Sequence, residues 1–305
     1  MTSRRRTAMV WLLVLASTSL PSEVRAAGDG GDPVLVAAGD VARCNDTGDE
    51  ATAALLDAIP GTVAMLGDGA YPDGTAQEYA TCYDPSWGRH KAMTRPVTGN
   101  HDYVTPKASG YFGYFGAAAG DPAKGYYSYD LGPWHLIALN STCKAVGGCE
   151  AGSPMEQWVK ADLAAHPAPC ILAYWHHPRF FSPAREPSVS HFDSVDRKMS
   201  AIWRDLQAAG AAVVLAGHRH VYERFARQDA DGNADPKGVR QFVVGTGGGD
   251  FEKFTTGPAP HSEIRQENVF GVLKLTLHAT SYDWQFVPVA GQSFTDSGSE
   301  SCRPA

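Results

Sequence analysis

The sequence predicts an α/β fold: a single domain of strands and helices, with the chemistry-bearing side chains gathered at the strand ends. Three observations predict it. Short apolar runs recur along the chain and close on Gly-Asp, Gly-Asn-His, His-His or Gly-His-Arg-His. Stretches with helical spacing separate several of these runs. Beyond residue 239 the pattern changes to the two-residue alternation of strands (RQFVVGT, then VLKLTLHATSYDWQFVPV), from which a second, largely antiparallel sheet is expected to close the domain.

The chain opens differently. Arg4, Arg5 and Arg6 precede an apolar run over residues 8–15, and Val24-Arg25-Ala26 forms a small-residue cleavage site, the pattern of an export leader over residues 1–26. The run is shorter than the ~20 apolar residues that span a bilayer, so stable membrane insertion after cleavage is not expected. Paired arginines also permit export in the folded state. The expected destination is the cell exterior or periplasm, and residues 27–305 form the functional domain.

The first strand, residues 34–38, ends in Gly39-Asp40. A helix over residues 50–58 leads to a second strand, 63–66, ending in Gly67-Asp68. Residues 93–98 lead to Gly99-Asn100-His101, residues 170–175 to His176-His177, and residues 212–216 to Gly217-His218-Arg219-His220. Residues 155–165 (MEQWVKADLAA) and 196–208 (DRKMSAIWRDLQA) have helical spacing. Ligands of open α/β sheets sit beyond the carboxyl ends of strands, which is where these Asp, Asn and His residues fall.

Of 305 residues 43% are hydrophobic, enough for a sizeable core and too many for disorder. Without residues 1–26 the chain keeps 22 basic against 32 acidic residues, a net charge of −10. That balance argues against nucleic acid as a partner. No pattern specifies an oligomeric state. Six cysteines and no C-x-x-C pair favour disulfides over zinc ligation; Cys143 with Cys149 across Gly147-Gly148, and Cys44 with Cys82, are the expected pairs.

Singly, a Gly-Asp after a strand is a turn and a strand-end histidine a hydrogen-bonded fixture. As a set, two aspartates, an asparagine and three histidines supply hard oxygen and borderline nitrogen donors suited to zinc, iron or manganese. One carboxylate shared between two cations holds them ~3.5–4 Å apart.

The segments GDVA (39–42), GDGAY (67–71), GNHD (99–102), WHHP (175–178) and GHRH (217–220) resemble, in order, the motifs of the calcineurin-like metallophosphoesterases. The resemblance spans residues 34–250. It implies a four-layer αββα sandwich, two mixed β-sheets flanked by helices, with a dinuclear metal site at the strand carboxyl ends. One departure narrows it. The superfamily's D-x-H has Ala42 at its third position here, and in purple acid phosphatases that loss accompanies a tyrosine three residues after the second motif's aspartate, where Tyr71 stands. The chain is therefore similar to a short, single-domain, secreted purple acid phosphatase of the bacterial type.

Carried over residue by residue, the resemblance implies one metal on Asp40, Asp68, Tyr71 and His220, and a second on Asp68, Asn100, His176 and His218, with Asp68 bridging. Family members have the ligand two positions before a proline, which selects His176 over His177 by its spacing from Pro178. His177 is left to face the substrate. His101 matches the family's non-ligand histidine, able to protonate the leaving oxygen. Iron is expected beside Tyr71, and zinc, manganese or iron at the other position.

The expected reaction is hydrolysis of a small phosphate monoester by attack of a metal-bound hydroxide. The same motifs would serve a phosphodiesterase or phospholipase-type esterase, with aromatic residues 103–115 or the loop 180–192 lining a leaving-group pocket or simply packing the core. A non-catalytic extracellular metal-binding protein is a third reading. No G-x-S-x-G elbow points to a serine nucleophile. Arg43, Arg179 and Arg219 are candidate phosphate partners. Asp102, His135, His166, His191, His261 and His278 have no motif context and are expected to be structural or surface residues.

Overall fold

The computed structural model of the chain describes residues 31–183 and 197–302. The leader expected over residues 1–26, His191, and residues 184–192 of the 180–192 loop lie outside the described residues. In chain order the elements run β1 (Val34–Ala38), β2 (Ala42–Arg43), α1 (Gly48–Ala58), β3 (Thr62–Leu66), β4 (Ala70–Tyr71), α2 (Ala76–Glu78), β5 (Thr94–Val97), α3 (Ser109–Phe115), β6 (Tyr127–Leu131) and β7 (Trp134–Ala138). They continue with α4 (Pro154–Ala165), β8 (Cys170–Tyr174), α5 (Ser200–Ala208), β9 (Val213–Ala216), β10 (Tyr222–Phe225), β11 (Arg240–Val244), β12 (Ser262–Gln266), β13 (Gly271–Leu277), β14 (Ser281–Pro288) and β15 (Ser297–Ser301).

Two large mixed sheets carry the architecture, one ordered β15-β14-β13-β1-β3-β5 and the other β12-β10-β11-β9-β8-β7-β6. The motif strands are divided between them: β1, β3 and β5 run parallel in the first, β8 and β9 in the second. The alternating strands after residue 239 do not build a sheet of their own. β11 pairs in parallel with β9, whereas β13 adds antiparallel to β1 and brings β14 and β15 with it. β1 is buried along most of its length, so its outer row of backbone N–H and C=O groups must be paired, and β13 pairs them.

Side-chain alternation on β8 shows the layering. Leu172 and Tyr174 enter the core shared with the first sheet, and Ile171, Ala173 and Trp175 enter a second core with Met155 and Val159 of α4 and Ile202, Trp203 and Leu206 of α5. Ala53 and Leu56 of α1 join the first core, completing an αββα order. α4 begins on Pro154, with the Ser153 hydroxyl accepting the Glu156 N–H at 3.3 Å. Of the aromatic run, Tyr111 and Phe115 are buried against Tyr79, and Phe112 packs on Tyr111, so the 109–115 part is core, whereas Tyr103 is partly buried and Val104 is exposed.

Disulfides join Cys44 to Cys82 and Cys143 to Cys149, the two expected pairs, and Cys170 to Cys302, which links the start of β8 to the residue after β15. At that same end Glu300 of β15 accepts from Arg227 at 3.0 Å and from Arg240 at 2.9 Å; Asp296, level with Phe286 and so toward the other end of β15, accepts from Arg224 at 2.7 Å. The amino-terminal ends of the parallel strands are thus cross-linked from sheet to sheet by sulfur and charge.

Candidate metal centre

The opposite edge, at the carboxyl ends of β1, β3, β5, β8 and β9, gathers the motif residues. Three of them sit at positive φ without being glycine: Asp40 at 62°, Asp68 at 51° and His218 at 70°. That conformation costs an L-residue roughly 1–2 kcal/mol and persists only where surrounding bonds over-determine it. Such bonds are present. The Asp40 N–H donates to the Gly67 carbonyl at 3.0 Å, the Asp68 N–H to Asp102 Oδ2 at 3.2 Å, and the His218 N–H to Asp40 Oδ2 at 2.8 Å.

Around Tyr71, the phenol donates to Asp40 Oδ1 at 2.9 Å, and its oxygen stands 3.3 Å from Asp68 Oδ2 and 3.1 Å from His220 Nε2. His220 Nε2 lies 3.2 Å from Asp40 Oδ1. Around His176, Nδ1 donates to the Leu66 carbonyl at 2.8 Å, which turns Nε2 to Asp68 Oδ2 at 3.0 Å and Asn100 Oδ1 at 3.2 Å. His218 completes this half, with ligand atoms of Asp68, His176 and His218 all within 4.8 Å of one another. Asp68 touches both groups.

Electrostatically the histidines divide, His176 and His220 favouring the proton and His218, through burial and the neighbouring histidines, disfavouring it. Burial disfavours charge on His176 and His220, yet the Asp68 carboxylate raises His176 to about 9 and the Asp40 carboxylate raises His220 to about 8. Burial would raise Asp68, but the His176 charge prevails and holds it at about 2. Burial, then the Asp40 and Asp68 charges, push the Tyr71 phenol well above its ordinary range. Carboxylate, phenol, amide and imidazole donors converge on positive charge from every side, and these residues fit a pair of cations. Glycines shape the cradle: a Cβ on Gly99 would stand 2.0 Å from Asp68 Oδ1, and one on Gly217 2.7 Å from Asp40 Oδ2.

His101 lies at the rim. Its backbone N–H donates to Asp68 Oδ1 at 2.8 Å, its Nδ1 donates to the Pro72 carbonyl at 2.6 Å, and its ring packs on Tyr71 with centroids 4.7 Å apart. His177 packs its ring on His218 at 4.5 Å and pairs Nδ1 with the Ser141 hydroxyl at 2.8 Å, while burial and the neighbouring His176 charge lower it to about 3. All nine motif side chains are therefore assembled at one edge.

The arginines separate. Arg43 donates to the Gly249 carbonyl at 2.8 Å and lies over the Tyr71 ring, beside the cluster. Arg219 pairs with Glu252 at 3.5 Å, and Arg179 is buried and donates to the Ala230 carbonyl, so both serve the walls. Three further residues support the site: Asp102, which closes the GNHD segment, and Ser141 and Glu252, which lie outside the five segments. Asp102 accepts the Gly99 and Asp68 N–H groups and the Tyr79 hydroxyl, Ser141 holds His177, and Glu252 accepts the His220 N–H at 3.1 Å. The loop 245–249 backs the site through Gly249, whose N–H donates to the Asp40 carbonyl at 2.8 Å.

Comparison with known proteins agrees with this geometry. A family model described as calcineurin-like phosphoesterase matches residues 33–222. Purple acid phosphatase 22 of Arabidopsis thaliana is 34% identical over 152 residues, 48% of this chain and 32% of that protein. Probable purple acid phosphatase 20 of the same plant is 28% identical over 233 residues, 68% of this chain and 52% of that one. The chain thus spans a third to a half of the length of these curated relatives. Among solved structures, purple acid phosphatase PPD1 from yellow lupin (Lupinus luteus) seeds superposes with a TM-score of 0.68 at 17% identity, over 90% of this chain and 54% of that one. GAP50, the anchor in the inner membrane complex of Plasmodium, superposes with a TM-score of 0.63 at 11% identity, over 87% of this chain and 88% of that one.

Proposed function

The chain belongs to the calcineurin-like phosphoesterase family, on its purple-acid-phosphatase-like branch, and from that premise we propose that it is a secreted enzyme hydrolysing small phosphate monoesters at two metal ions. Asp40, Asp68, Tyr71 and His220 hold one ion, and Asp68, Asn100, His176 and His218 the other. Iron is the choice for the phenol-bearing position, and zinc, manganese or iron for its neighbour. When bound, the ions supply charge to grip phosphate oxygens and to acidify a water.

The chain's own residues do the rest. His101, anchored through Nδ1 on the Pro72 carbonyl, presents Nε2 to the leaving oxygen and protonates it. His177, kept neutral and oriented by Ser141, hydrogen-bonds the phosphate. The observation that carries this reading is the meeting of Tyr71, Asp40, Asp68 and His220 within 3.3 Å contacts.

A fold alone does not assign catalysis, and GAP50, described as an anchor, shares this one. What favours an enzyme is His101 poised beside a full ligand set, since metal storage has no use for it. The test is elemental analysis with a visible spectrum, then a panel with an aryl phosphomonoester and its bis-ester. Two metals per chain, a tyrosinate charge-transfer band absent from Tyr71→Phe, and preference for the monoester are expected. Activity on the diester alone would transfer the protein to the phosphodiesterase or phospholipase-type reading, and intact metal without hydrolysis of either ester to the non-catalytic one. Near-normal hydrolysis by Asp68→Asn would overturn the two-metal assignment.

A further inference from the structure

A second group of metal-binding side chains lies on the far side of the second sheet from the first sheet's core, where the β6–β7 hairpin meets the end of α4. His135 of β7 is buried, and its Nε2 stands 2.9 Å from Asp162 Oδ2. Asp162 and His166 are one helical turn apart, with His166 Nδ1 3.2 Å from Asp162 Oδ1. The two imidazoles stack, centroids 4.9 Å apart and planes 13° from parallel. Ligand atoms of His135, Asp162 and His166 all lie within 4.8 Å of one another. Around a tetrahedral zinc with ligands at ~2.0–2.1 Å, donor atoms stand roughly 3.3 Å apart. His166 Nδ1 also donates to the Asp162 backbone carbonyl at 3.0 Å, so joint ligation requires the half-exposed His166 ring to turn off that carbonyl and out of its stack on His135.

The surroundings match a metal site as well as the ligands do. His135 turns its other nitrogen, Nδ1, to Asp130 Oδ1 at 2.7 Å, the carboxylate–histidine pairing that fixes the tautomer of a metal-bound imidazole. The Ser128 hydroxyl donates to Asp162 Oδ1 at 2.7 Å and orients that carboxylate. Two carboxylates and two neutral imidazoles around one divalent cation sum to zero charge. We propose that His135, Asp162 and His166 form a separate site for one zinc-like divalent cation, with Asp130 supporting His135 and the remaining coordination position open to water. The ion would tie the end of α4 to the β6–β7 hairpin. Its role is structural, and phosphoester hydrolysis does not depend on it.

The test titrates the protein carrying its resident metals with Zn(II) alone, by calorimetry near neutral pH, with elemental analysis of the product. One additional equivalent of zinc, retained beside the resident metals, is expected for the wild type. His166→Ala alters an exposed side chain and should fold normally, keep its phosphoesterase activity, and bind the additional zinc at least tenfold more weakly. His278→Ala serves as control, because His278, in the turn between β13 and β14, also lies between carboxylates, Asp32 and Asp283; it should leave zinc uptake unchanged. Absence of additional uptake in the wild type, uptake unaffected by His166→Ala, or loss of uptake in His278→Ala would each overturn the proposal.

Discussion

Gly99 has room for a hydrogen and nothing more, because a Cβ there would press on Asp68 Oδ1 at 2.0 Å while its own N–H is fixed on Asp102. Gly99→Ala is therefore expected to displace the carboxylate shared by both proposed ions and to lower activity at least a hundredfold. Elemental analysis separates this from simple unfolding: the variant should remain folded by circular dichroism yet retain less than half the metal. His101→Asn makes the contrasting case. Its backbone contact to Asp68 survives, so metal content and spectrum should match the wild type while kcat falls ~10²–10⁴-fold, the usual loss on removing a general acid. A fall in metal content parallel to activity would remove His101 from the proton-transfer role. The nine motif side chains were legible in sequence because they cluster just after apolar runs, and the carboxyl ends of those strands in both large sheets fall on one side of the molecule. Asp102 closes the GNHD segment without a ligand's role, and Ser141 and Glu252 lie outside all five segments, so their supporting contacts leave no mark in residue type or spacing.

Helices α1, α4 and α5 and the motif strands could be read from periodicity, but α2, α3 and the partners of β13, β14 and β15 could not. Alternation states that a strand has one buried face and does not state which sheet edge lies open to it; that edge belonged to β1, more than 200 residues away in sequence. The β6–β7 hairpin was passed over, though Leu131-Gly132-Pro133-Trp134 marks its turn, with Gly132 at φ 59°. Beside its ladder to β14 and the Cys170–Cys302 bridge, β15 is tied to the second sheet through Glu300. Burial acts to raise this carboxyl, but the Arg240 contact dominates and holds it at about 2. A folded-state value below the unfolded one contributes stability above pH ~4.5 that fades as pH falls toward 2. Glu300→Gln should therefore lower unfolding free energy by about 2–3 kcal/mol at neutral pH, with the difference from wild type shrinking across that window in urea titrations. A pH-independent difference would mean that packing, and not charge, pins β15.

The proposed ligands come from both sheets, Asp40, Asp68 and Asn100 from the first and His176, His218 and His220 from the second, so bound metal stabilises only the docked state. Ions present at ~1,000-fold their dissociation constants would add about 4 kcal/mol to that state. Chelation should lower the unfolding midpoint accordingly and speed hydrogen exchange at the amides of Asp68, His101 and His218. The amides of β8 and β15 should stay protected, and loss of their protection on chelation would show that the metals hold the sheets together unaided. The Cys170–Cys302 bridge and the Glu300 contacts give that expectation its mechanical sense. The molecule is a clasp, hinged by sulfur and charge along one edge, with the metals as its catch. Releasing the catch leaves the jaws aligned, so a stripped protein should rearm within the mixing time of added metal instead of refolding first.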